Sequence, residues 1–195
     1  MTAAALIREA TIEDTDAIAR VHVQAWRETY RALMPEALLA GLSVEQRTAM
    51  WTNVILKTEK APCVWVSEEG GRIVGFACIG KAHDHALAAD GEILAINFLA
   101  DAKRRGFGTA LFRHLLRLLK QRGFASAGLW VLSSNEPARR FYEVMNGKPG
   151  TTRSVDADGT ALEEISYIGT WLTFVRSSDC ILRLRGAYAT RYRPL

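Results

Sequence analysis

No apolar segment of the chain reaches the roughly 20 residues that a membrane-spanning helix requires. The N-terminal MTAAALIREA has neither the basic start nor the long apolar core of a secretion signal. Cysteine is scarce. Cys63, Cys78 and Cys180 are odd in number, widely spaced and mostly set in apolar runs, which excludes a disulfide scaffold and fits a reduced, cytoplasmic protein. Repeats, low-complexity tracts and linker-like stretches are also missing, so the 195 residues read as one domain long enough to bury a substantial core. A composition of 49% hydrophobic and 24% charged residues is that of a globular chain.

The domain itself also lacks net charge. The formal balance of +4 resides in residues 175–195, where Arg176, Arg183, Arg185, Arg191 and Arg193 stand against Asp179 alone, and the remainder is neutral. A basic nucleic-acid-binding domain is therefore not expected. The tail reads as a solvated or partly helical appendage, with phosphate or nucleic-acid contact as its other reading.

Two nucleotide-binding signatures are missing where glycine is present. In Glu92 to Gly123, EILAINFLADAKRRGFGTALFRHLLRLLKQRG, the Gly106-Phe107-Gly108 pair has no third glycine of a dinucleotide fingerprint and no following Gly-Lys-Ser/Thr of a P-loop. What is there is an apolar strand, Ile93 to Leu99, interrupted only by Asn97, then a basic glycine turn and an amphipathic helix. Gly106 and Gly108 let backbone N–H groups approach a ligand where the helix N-terminus carries partial positive charge, and Lys103, Arg104 and Arg105 add full charges. The ligand expected is a phosphate or pyrophosphate. Phe107, Leu111, Leu115 and Leu118 form the apolar stripe, and Gly123 supplies the stop.

Lys103 to Gly108, preceded by Ile96 to Leu99, resembles the Gln/Arg-x-x-Gly-x-Gly/Ala motif with which the GNAT N-acetyltransferase superfamily binds the pyrophosphate of coenzyme A. Lys103 replaces the usual Gln or Arg and Asn97 an aromatic residue; lysine keeps a donor but loses the fork of arginine. Asn135 to Glu143, NEPARRFYE, resembles the family's Asn-x-x-Ala-x-x-Phe-Tyr-Glu helix at the expected distance downstream. The resemblance covers 6–174 and implies an α/β (α+β) fold with a mixed, mostly antiparallel sheet flanked by helices and splayed between the fourth and fifth strands. The domain expected is 1–174, with 175–195 as a tail of unassigned role.

In chain order, Leu6 to Ala10 predicts a strand and Thr11 to Asp14 a capping box opening a helix toward Tyr30. A second helix is predicted over Val44 to Leu56. Ala61 to Glu68 and Arg72 to Lys81 alternate around Glu69-Gly70-Gly71, a hairpin signal. Ala127 to Ser133 reads as the strand beside Ile93 to Leu99; Asn135 caps a helix to Met145, which Asn146-Gly147 ends. A Gly/Asp-rich hairpin over Val155 to Gly159 leads to a last strand, Leu162 to Phe174. His83-Asp84-His85 has the look of metal ligands, but no other Cys or His stands at a supporting spacing, so no metal is expected.

The resemblance implies acetyl transfer from acetyl-CoA to an amine. An alkyl amine of pKa about 10.4 is neutral roughly one time in a thousand near pH 7.4, so its deprotonation costs about 4 kcal/mol and a carboxylate base helps. Glu92 resembles the position from which many members supply one, with His83, Asp84 and His85 as competitors and a solvated strand-end charge as the plain alternative. Tyr142 resembles the family's general acid, and Phe98 and Leu99 occupy the place whose backbone N–H polarises the thioester carbonyl. Coenzyme A is expected over Arg104 to Thr109, with Asn135 as cap and coenzyme ligand and with Arg139 and Arg140 near its outer phosphate. Trp26, Tyr30 and Trp51 are candidates for the acceptor wall, or simply core, and Glu28 for an amine contact, or a solvated charge. The acceptor is a small-molecule or peptide amine of open identity, and homodimers are common in the family. Transfer of another acyl group, attack by a hydroxyl, or a non-catalytic acetyl-CoA sensor are the rival readings.

Overall fold

A computed structural model describes residues 6–57, 63–157 and 159–169. β1 (Leu6–Glu9) leads through a short 3-10 turn into α1 (Thr15–Tyr30), where the Asp14 carboxylate accepts the Thr11 amide at 2.8 Å. α2 (Glu36–Ala40) and α3 (Val44–Leu56) follow, α3 capped by the Ser43 hydroxyl, which accepts the Gln46 amide. β2 (Cys63–Glu69) and β3 (Arg72–Lys81) form a hairpin around Gly70-Gly71. Then come β4 (Gly91–Phe98), α4 (Phe107–Gln121), β5 (Ala127–Leu132), α5 (Glu136–Val144), β6 (Lys148–Ala157) and β7 (Thr160–Gly169). Residues 170–174 of the expected last strand, the tail and Cys180 lie outside the described residues, as do Ala61 and Pro62 of the second expected strand.

The strands make one sheet in the order β1-β2-β3-β4-β5-β7-β6. Every neighbouring pair is antiparallel except β4 and β5, which run parallel and are bridged only at Gly91 with Ala127 and Glu92 with Gly128. Beyond those bridges the two strands part, and the gap between them organises the site.

One face of the sheet is covered by α4 and α5, the other by α1 and α3 over β1 to β4. α4 buries Phe107, Leu111, Phe112, Leu115, Leu116 and Leu119, whereas Leu118 of the expected stripe is only partly buried. A helix lying on a sheet buries two adjacent rows rather than one seam, and six such side chains contribute on the order of 10 kcal/mol. Trp51, Val54 and Ile55 of α3 and Ile18, Ala19 and Val21 of α1 close the second face. Cys63 and Cys78 are both free thiols, on neighbouring strands and in opposite cores. Among the described residues no helix is long and apolar enough to cross a membrane.

Candidate active site

At the outer end of β4 the Leu99 amide donates to the Val74 carbonyl at 3.0 Å. N–H groups alternate along a strand, so the Phe98 amide faces the opposite edge, where β5 has already departed. Of the two amides expected to hold a carbonyl, Phe98 is therefore the one available. The register with β3 slips between Cys78 and Ile79, which face Ala95 and Ile93 and leave Leu94 as the extra residue of a bulge. The Phe98 ring lies across Gly75 of β3, where a Cβ would come within 2.2 Å of the ring.

The turn after β4 ends in Gly106, whose φ of +87° is a conformation that suits glycine, and α4 starts at Phe107. The first bond of the helix runs from the Ala110 amide to the Gly106 carbonyl, so the amides of Phe107, Gly108 and Thr109 have no intrahelical acceptor. Those are the amides that the sequence reading assigned to an anion. The basic residues beside them differ from the expectation. Lys103 turns back to α1, its Nζ donating to the Thr29 hydroxyl at 2.8 Å, and Arg105 donates to Glu69 at 2.9 Å while lying over the Phe107 ring. Arg104 alone of the three makes no side-chain hydrogen bond or ion pair among the described residues. Glu28, considered for an amine contact, instead accepts the Ala100 amide at 2.7 Å and pins the turn to α1.

Asn135 is buried at the head of α5, its side-chain oxygen accepting the Ala138 amide at 3.3 Å, and its side chain offsets part of the rise that burial imposes on the Tyr30 phenol. Tyr142, about two turns further on, packs its ring against Phe112 and Tyr167. Burial pushes its phenol well above the usual 10, and the nearby Tyr30 adds to the rise. Burial raises Tyr30 as well. The two tyrosines sit on helices that cover opposite faces of the sheet, yet Tyr30 is near enough to raise the Tyr142 phenol. Trp26 stands beside Tyr30, half-buried, 5.2 Å between ring centroids. Trp51 is core, not wall: it is buried and its indole N–H donates to His22 Nδ1 at 3.1 Å.

Glu92 is buried on the face opposite α4, since its neighbours Gly91 and Ile93 both point to the α4 core. Burial pushes its carboxyl above the ordinary range, while the His83 amide and Arg153 pull it back. The sequence reading missed Arg153 and Glu164, whose charges act on it, and Trp130, which carries the Arg153 guanidinium. Arg153 of β6 donates through Nη1 to Asp84 at 2.7 Å, and through Nε and Nη2 to Glu164 at 2.8 and 2.7 Å, with its guanidinium 4.1 Å from the Trp130 ring centroid. The Glu164 charge also raises the Tyr30 phenol, so one carboxylate acts on both Tyr30 and Glu92. Alternation along β6 and β7 was the only signal for these partners. Asp84 and its turn are thereby committed to Arg153, and among the described residues no three metal-ligating side chains converge.

Arg139 and Arg140, expected near the outer phosphate, have partners within the fold. Arg139 donates to the Ser133 carbonyl at 2.9 Å and to the Tyr167 hydroxyl at 3.3 Å; Arg140 pairs with Glu136 one turn earlier. Tyr167 in turn donates to Glu143 at 2.6 Å, so the inward side of α5 is locked to β7. The groups left open are the amides of Phe107 to Thr109, the Arg104 side chain, the Phe98 amide and the Tyr142 hydroxyl, and these suit a thioester that carries a diphosphate.

The model of the acetyltransferase (GNAT) family matches residues 23–147. The chain is 33% identical to an uncharacterized N-acetyltransferase of Bacillus subtilis over 82% of this chain and 89% of that one. It is 27% identical to a probable N-acetyltransferase of Mycobacterium tuberculosis over 70% and 76%. Among solved structures, the PaiA N-acetyltransferase of Thermoplasma acidophilum in complex with coenzyme A shares the fold at a TM-score of 0.66, with 18% identity, 83% of this chain and 98% of that one covered. The yncA protein of Salmonella typhimurium, solved with acetyl-CoA, gives 0.66 at 19% identity over 92% and 100%. The parted strands and the open helix end thus have a family to account for them: a match that runs from within α1 to just past α5 makes this chain a member of the GNAT acetyltransferases.

Proposed function

We propose that the protein transfers the acetyl group of acetyl-CoA to a primary amine, small-molecule or peptide, by direct attack in a ternary complex, residues 1–174 forming the catalytic unit. The observation that carries this reading is the gap between β4 and β5, into which the Phe98 amide points. The pyrophosphate lies on the amides of Phe107, Gly108 and Thr109 with Arg104 beside it, at the positive end of α4. The thioester carbonyl accepts from Phe98. The amine enters from the α1 face past Trp26 and Tyr30, and its proton passes to Glu92, directly or through water. As the C–N bond forms and the C–S bond breaks, the thiolate leaves toward the Tyr142 hydroxyl. A phenol raised by burial is a weaker acid than a thiol, so Tyr142 stabilises the departing sulphur chiefly as a hydrogen-bond donor.

The test is a thermal melt with and without acetyl-CoA, followed by turnover on a panel of amines. Ligand at about 100 times its dissociation constant adds roughly 2.7 kcal/mol, or about 5 to 11 °C for a domain of this size. Gly108→Glu is expected to fold, since a Cβ there meets the Phe98 ring at an ordinary 3.8 Å, but to lose the shift. Tyr142→Phe is expected to keep the shift and to lose about 100-fold or more in kcat. No shift with acetyl-CoA overturns the coenzyme site. A shift without turnover on any amine, indifferent to Tyr142→Phe, makes the protein a coenzyme sensor instead.

A further inference from the structure

The 82–90 turn forms a wall before Glu92 and is held there from the far edge of the sheet. Arg153 grips it through Asp84, whose other carboxylate oxygen accepts the Ala86 amide at 2.8 Å. Two residues earlier on β6, the Thr151 hydroxyl donates to the Ala86 carbonyl at 3.0 Å. From the turn so held, the His83 amide draws Glu92 toward its charged form. Trp130 and the two-point contact with Glu164 fix the guanidinium plane, a geometry that a lysine ammonium does not reproduce.

We propose that Arg153 is a positioning residue for acetyl transfer: without touching the reacting atoms, it clasps the 82–90 turn against Glu92 and keeps that carboxylate charged and able to accept the amine's proton. The proposal rests on the reading of Glu92 as base. Glu92 faces the His83 amide and Asp84 of the turn, Arg153 of β6, Glu164 of β7 and the Cys78 thiol of β3. Arg153 is the cation in that set. Without it, Asp84, Glu164 and Glu92 are left to repel one another, and Glu92 holds its proton to higher pH.

The experiment has two arms, both on the full chain. In the first, side-chain carboxyls of glutamate are labelled with carbon-13 and titrated by NMR, with the Glu92 signal assigned by its loss in Glu92→Gln. Arg153→Met is expected to move the Glu92 midpoint up by about one pH unit, and Arg153→Lys, which keeps the charge, by clearly less. In the second, kcat is followed against pH with acetyl-CoA and the best amine of the panel; the acid limb should move up in Arg153→Met, with the acetyl-CoA dissociation constant unchanged. An unmoved midpoint, or a rate lowered equally at all pH values, overturns the role of Arg153 while that of Glu92 stands. A Glu92→Gln enzyme that keeps the native rate and acid limb removes Glu92 as base, and the proposal with it.

Discussion

The Leu99 amide is donated to the Val74 carbonyl, 3.0 Å away, and the Phe98 amide is thereby turned into the space that β5 vacates. The oxyanion donor assigned to this enzyme thus follows from hydrogen-bond parity along a strand. That parity holds only while β4 keeps its register with β3, and the Phe98 side chain, seated over Gly75, is one of the groups that keep it.

Gly75→Ala tests this dependence. The new methyl group would lie 2.2 Å from the Phe98 ring, so the ring or the strand must shift. Overpacking of this kind costs about 1–3 kcal/mol. The expected outcome is a lower melting temperature together with a kcat loss larger than any change in acetyl-CoA affinity. Stability lost with kcat intact would detach Phe98 from carbonyl activation.

Much of this arrangement was legible in the sequence, for reasons that also explain what was not. α3 and β3 were delimited to the residue because Val44 to Leu56 and Arg72 to Lys81 carry clean periods between breakers. α2, five residues long, is too short to show a period, and β6 is an exposed edge strand interrupted by Pro149 and Gly150, so that only the turn at its far end, Val155 to Gly159, stood out. Glycine spacing located the helix N-terminus at Gly106 and Gly108, but not which way Lys103 and Arg105 turn. Their partners, Thr29 and Glu69, come from elements that only the fold brings near. The same holds for Arg153 and Glu164 beside Glu92.

His22 makes a pH prediction. Burial lowers its imidazole from the ordinary 6.5 to about 3, and its Nδ1 serves as acceptor for the Trp51 indole. The folded state therefore keeps His22 neutral where the unfolded chain takes up a proton. Stability from this site is present above pH 6.5 and is lost as pH falls toward 3. By pH 5 the loss relative to pH 7 is about 2 kcal/mol. Burial lowers His114 in the same direction, and the raised Glu92 acts in the opposite one. His22→Gln, which retains a side-chain acceptor but cannot titrate, isolates the contribution: its melting temperature should fall less than that of the native protein between pH 7 and 5. Parallel curves would mean that His22 is protonated within the fold.

Arg139 decides how α5 serves the site. Were its guanidinium a phosphate ligand, Arg139→Met would weaken acetyl-CoA binding by tenfold or more and leave the apo-protein stable. Its bonds to the Ser133 carbonyl and the Tyr167 hydroxyl imply the reverse. Losing them should cost about 1–2 kcal/mol of folding stability in urea denaturation, with acetyl-CoA affinity by calorimetry little changed. The helix would then slacken against β7, where Tyr167 bridges Arg139 to Glu143, and Tyr142 one residue before that glutamate would lose its fixed aim into the gap. The expected signature is a fall in kcat without a rise in KM for acetyl-CoA, since the pyrophosphate site proposed above is on α4, a separate helix that this variant leaves in place.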